Sequence, residues 1–154
     1  MTTQKPSRAD RAPAPLASPL AAAVSPTVAL VAGWLVPGAG HLQVGQMQKA
    51  AIFFVVLIGM FVIGLGLGGR LFPFPGLLAD PLVFLAAAAE WATGVPRLLA
   101  AFAGSGKGTV TQVTYEAGNT FLITAGLLNL LVAFNASDVA QRQSRRSVSE
   151  GGRA

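Results

Sequence analysis

The chain has 154 residues, 53% of them hydrophobic and only 11% charged, against roughly 25% charged in an ordinary soluble domain. It is too short to wrap an uncharged core helix several times over, so a soluble fold is excluded. No cysteine is present, which excludes disulfides and thiol chemistry. The net charge is +5, but seven of the eleven basic residues lie in the two tails, at Lys5, Arg8, Arg11, Arg142, Arg145, Arg146 and Arg153. No basic stripe interleaved with aromatics lies between them, which argues against nucleic acid.

Residues 1–15 read as a polar, basic, Pro- and Ala-rich disordered tail. A cleaved leader is the rival reading, but Pro19 interrupts its apolar run. A first span is expected over about 16–36, firmest from Ser25-Pro26, a cap and first-turn pair. From Pro26 to Val36 a helix rises only about 16 Å, short for a hydrocarbon core of roughly 30 Å. Either the helix extends backward, or the Pro37-Gly38 segment also enters the membrane. Trp34 fits an interfacial anchor.

Pro37, Gly38 and Gly40 break the helix. His41 to Lys49 is then the most polar stretch between the spans. The second span, Ala50 to Gly69, is uncharged and about 30 Å long. Gly64 and Gly68 form a small-xxx-small pair, suited to packing within the monomer or to self-association. A third segment starts at Asp80-Pro81 and runs to about Leu99, either as a kinked full span or as a half-helix that re-enters. A fourth span covers Ala117 to about Asn135, and residues 139–154 read as a second disordered basic tail. The domain is thus expected over 16–138 as an all-α integral membrane bundle of about four transmembrane helices. Four spans with basic tails place both tails in the cytoplasm. The loops at 41–49 and 104–116 then face the other side together.

Four features carry candidate chemistry. Gly104 to Thr109 resembles the end of a phosphate loop, but Ala101 stands where the first glycine is needed, and no strand precedes it. A flexible loop is the plainer reading. Glu90 is an ionisable group in an apolar run, a functional candidate by default. It is expected near an interface, with an interhelical hydrogen bond or a polar pathway as alternatives. Arg97 or His41 is its natural partner, although a contact with Arg97, about 10 Å along a straight helix, needs a kink at Pro96. His41 is the only histidine and has no companions for a metal or a catalytic triad. Asn129, with Thr120 and Thr124, suits hydrogen bonding between helices.

The run Val36-Pro37-Gly38-Ala39-Gly40-His41-Leu42, then Gly45, then Lys49 before an apolar helix, resembles an uncharacterised family of small bacterial multi-span membrane proteins. That family carries a PGAGH-L hairpin after its first helix, similar to the hairpin of the "TM-two" two-helix membrane domain. Tyr115 to Thr120 and Ala125 to Leu131 resemble its last span. Together the two matches reach over most of residues 30 to 138. Gln43 stands where the family prefers an aromatic, Gln46 where a basic residue is common, Ala50 where glycine is usual and Asn135 where an acidic residue is frequent. The resemblance implies a fold and a place in the bacterial inner membrane, and no enzyme activity.

The functional expectation is a non-enzymatic membrane scaffold or accessory, with lipid and other membrane proteins as partners and no cofactor. The alternative is a small transporter or channel-like component using Glu90, Arg97, His41 and Asn129.

Overall fold

The computed structural model describes residues 24–74 and 80–151. The tail expected over 1–15 lies outside them. Six helices follow one another: α1 (Pro26–Leu35), α2 (Ala39–Gln43), α3 (Met47–Gly66), α4 (Pro81–Trp91), α5 (Val95–Phe102) and α6 (Tyr115–Gly151). Among the described residues the one extended pairing is an isolated bridge between Arg70 and Lys107.

Two of these helices, α3 and α6, are long and apolar enough to cross a membrane, and a third span is counted if α4 and α5 are taken together. The expectation of four is not met by helix length. α1 has ten residues, about 15 Å, because Pro37 removes a backbone donor and Gly38 takes φ +82°, a left-handed turn that glycine tolerates best.

The contacts along α6 fix the direction of every other helix. Ala29 clusters with Ala140, a Cβ on Gly33 would touch Ala133 at 3.2 Å, and Trp34 meets Asn129, so α1 runs antiparallel to α6. The chain then turns back. A Cβ on Gly40 would meet Ala136 at 2.7 Å, and the Val44 carbonyl accepts from Gln143 Nε2 at 3.2 Å. α3 departs from that same end and climbs until Phe61 packs with Leu122 and Gly64 faces Gly118.

The second half repeats this plan in the opposite sense. Asp80 caps α4 by accepting from the Leu82 and Val83 amides at 3.1 Å, with Pro81 in the first turn. α4 runs parallel to α6 and ends at Trp91. Gly94, at φ +77°, turns the chain by 105° into α5, which returns toward the end of α3. Ala100 joins Phe61, Leu122 and Ala125 there. Each half is therefore a half-length helix, a glycine at positive φ, a short return helix and a long helix, and the halves run in opposite directions.

Three expectations change. The loops at 41–49 and 104–116 lie at opposite ends of the bundle, because α1–α2 doubles back instead of passing through. Residues 139–151, expected as tail, continue α6, since Ala140 is buried on α1 and α2 and Gln143 is tied to Val44. The 104–109 loop is an ordered strap: Leu71 N donates to Gly106 O at 2.8 Å and Thr109 N to Gly68 O at 3.2 Å.

Candidate polar sites within the bundle

Sealing a broken helix requires partners for the backbone groups that lose their intrahelical bonds. The buried polar side chains of this chain meet that need. Beyond Gly66 the chain runs without helix through Phe72. Glu90 Oε2 accepts from Phe72 N at 2.8 Å, and Arg97 Nη2 donates to Phe72 O at 2.6 Å. Arg97 Nε stands 3.9 Å from the same carboxylate oxygen, and its guanidinium lies 4.5 Å from the Trp91 ring centroid. The sharp turn between α4 and α5 creates this meeting. Glu90 is fully buried and faces the bundle interior.

Asn129 joins the tips of the two hairpins. Its Nδ2 donates to Trp34 O at 3.0 Å and to Ala92 O at 2.9 Å. Trp34 thus marks the tip of α1 beside the middle of α6. Nearby, a Cβ on Gly94 would strike the carbonyl oxygens of Trp34 and Leu35, and one on Gly126 would strike that of Ala89.

His41 takes a third position. Its Nε2 lies 3.0 Å from Asn135 Oδ1, and its ring leans on Phe53 with centroids 5.0 Å apart. Pro37, Gly38 and Gly40 build the turn that delivers it: a Cβ on Gly38 would meet the Ala50 carbonyl, and one on Gly40 the Ala29 carbonyl. Gly45 at φ +80° reverses the chain into α3, where Lys49 is exposed. Glu90 and Arg97 therefore come together, Asn129 sits apart at the tips, and His41 lies one further step along α6 with Asn135. Gly64 packs inward on Gly118 and Leu122, while Gly68 lies past the helix end at φ +82° beside Gln112.

Sequence reasoning missed Phe72, Thr93 and Gly126, and took Asn135 only as the end of a span at a position where an acidic residue is frequent. Phe72 acts through its backbone and Gly126 through a missing side chain, and neither leaves a motif. Several buried polar atoms have no partner: His41 Nδ1, Gln46 Oε1, Glu90 Oε1, Thr93 Oγ1, Arg97 Nε and Asn129 Oδ1. Two grooves are apolar. One of about 380 Å³ lies between the Pro37 turn and α3, and one of about 620 Å³ lies beside α4 and α6, bordered by Phe72, Leu82 and Leu127. Among the described residues no three His, Asp or Glu converge.

Residues 28–147 match the model of a family of unknown function, DUF6677. The chain belongs to that family. No curated protein and no solved structure matches it. The DUF6677 match takes in most of α1, all of α2 to α5 and most of α6, so both hairpins and their seat on α6 fall within the family region.

Proposed function

We propose that this protein is a non-enzymatic integral membrane component, a scaffold or accessory to other membrane proteins. Its plan is two full spans, α3 and α6, and two half-depth hairpins that enter from opposite faces. The observation that carries this reading is the use made of the buried polar groups. Glu90, Arg97 and Asn129 bond backbone groups of unwound segments. That is the requirement a bilayer imposes on irregular chain, and it leaves these side chains engaged in holding the fold. The apolar faces of α3, where Ile52, Val55 and Val62 are exposed and Gly59 and Gly66 have open space around them, suit lipid or a neighbouring helix.

The resemblance of residues 36–49 to small bacterial membrane proteins supports the bacterial inner membrane as its location. Orientation follows from charge. Lys49, Arg142, Arg145 and Arg146 lie at one end, and Arg70 and Lys107 at the other. The excess of positive charge favours the first end as cytoplasmic. With two full spans, both ends of the chain then share that side. The likeness of the 37–49 turn to the TM-two hairpin supports a membrane-embedded hairpin.

A transporter is the second reading, favoured by the opposed half-helices, a plan that secondary transporters also use. Flux into proteoliposomes separates the two. The purified protein is expected to pass sodium, potassium and protons no faster than empty vesicles. Flux that Glu90→Gln abolishes would replace the accessory reading with transport.

A further inference from the structure

The groove of about 620 Å³ beside α4 and α6 runs from Phe72 and Asn119 to Leu127. Asn119 to Leu127 is eight residues of α6, about 12 Å of helix, close to half of a hydrocarbon core of roughly 30 Å. Leu85, Ala86 and Ile123 line the stretch between, and Asn119 is the one polar side chain in the lining. The groove is therefore apolar to the depth of one leaflet and polar where it opens at the end of the bundle.

Two cations stand at that opening. Arg70 and Lys107 face each other in the isolated antiparallel bridge, which puts their side chains on one face, and like charges directly opposite repel. The backbone holds them there. Leu71 N donates to Gly106 O at 2.8 Å, Arg70 N donates to Asn119 Oδ1 at 2.8 Å, and a Cβ on Gly108 would meet the Arg70 Cβ at 2.6 Å. The Arg70 guanidinium lies 6.0 Å from the Phe72 ring centroid, and Phe72 lines the groove, so Arg70 overhangs the mouth. Both cations are exposed, and among the described residues the single ion pair is Arg97 with Glu90. Two carboxylates border the same mouth. Asp80 precedes Leu82 by two residues and has one oxygen on the first amides of α4. Glu116 lies one turn before Asn119 and is exposed.

We propose that this groove holds one zwitterionic membrane phospholipid, its phosphodiester between Arg70 and Lys107 and an acyl chain along α4 and α6. Adjacent cations over an apolar slot fit a phosphate that carries a hydrocarbon chain. Asp80 and Glu116 balance the charge of the mouth, so a headgroup with one negative and one positive charge complements it better than an anionic one. The inference rests on the membrane reading above.

The full chain in detergent is stripped of lipid and offered phosphatidylethanolamine, phosphatidylglycerol or diacylglycerol, and native mass spectrometry counts the lipid retained. One phosphatidylethanolamine per chain is expected, in preference to the other two. Arg70→Gln with Lys107→Gln alters only exposed side chains and keeps the backbone bonds of the bridge. It is expected to weaken phosphatidylethanolamine retention by about tenfold, the loss of roughly one charge-assisted hydrogen bond. Ala86→Phe fills the groove with both cations in place and is expected to lower retention as well. Phosphatidylglycerol or diacylglycerol held as well as phosphatidylethanolamine overturns the proposal, and so does unchanged retention in either variant. Alkaline washing of membranes tests the membrane reading by itself: release of the chain there would overturn that reading, whereas the retention contrasts bear on the groove alone.

Discussion

Glu90 and Arg97 hold the same residue from its two sides: the carboxylate takes the Phe72 N–H at 2.8 Å and the guanidinium gives to the Phe72 carbonyl at 2.6 Å. The pair therefore replaces, for one unwound residue, the two hydrogen bonds that a helix would have supplied. Removing either member leaves a buried opposite charge and an orphaned backbone group.

Glu90→Ala or Arg97→Ala is expected to destabilise the protein by about 3–5 kcal/mol, the usual result of stranding one ion of a buried pair. The double change Glu90→Ala with Arg97→Ala is expected to cost less than the two single changes summed. A double-mutant cycle on thermal unfolding in detergent would read the coupling, on the order of 1–3 kcal/mol. Strict additivity would mean that the two side chains act separately.

Glycine positions give a sharper contrast. Gly126→Ala drives a methyl into the Ala89 carbonyl and is expected to separate α4 from α6, lowering the unfolding temperature markedly. Gly59 sits in α3 with open space around it. Gly59→Ala is expected to be neutral or to stabilise by up to about 1 kcal/mol through helix propensity. Equal effects at the two sites would contradict the close approach of α4 and α6.

Because the chain has no cysteine, single-cysteine labelling maps its sides cleanly. Gln48→Cys and Ser147→Cys are expected to react from one face of the membrane and Ser105→Cys from the other. Labelling of Gln48→Cys from the Ser105 side would mean that α1 and α2 cross the bilayer after all.

At the His41 contact, Asn135→Asp keeps an oxygen 3.0 Å from Nε2 and is expected to preserve stability. Asn135→Leu removes that acceptor and is expected to cost about 1–3 kcal/mol for the buried imidazole nitrogen left behind. Thermal unfolding of the two variants side by side would decide. A loss as large in Asn135→Asp would place the importance of Asn135 in its amide group instead.

Much of this was legible in the residues. The uncharged run at 50–69 gave α3, Asp80-Pro81 gave the start of α4, and the need for a kink before Glu90 could touch Arg97 was plain from their spacing. The number of crossings was not legible. Hydropathy reports that a segment is apolar, while whether it crosses or turns back rests on Gly38 and Gly94 adopting positive φ. The continuation of α6 past Asp138 was hidden for a related reason. Its polar composition reads as tail until Ala140 and Gln143 are seen against Ala29 and Val44. Asn129 could be picked out as interhelical, but its partners are carbonyls 95 and 37 residues away, and a carbonyl has no sequence signature.

α6 is the common seat of α1, α2, α3 and α4, and it is the last of these elements to leave the ribosome. Until it arrives, Trp34 O and Ala92 O have no Asn129, His41 has no Asn135, and Gly64 has no Gly118 or Leu122 to meet. The upstream hairpins must therefore wait in the insertion machinery or at the lipid surface as unfinished pieces. A ribosome that stalls before residue 129 would leave a chain whose broken helices have nothing to close on, a ready target for membrane proteolysis.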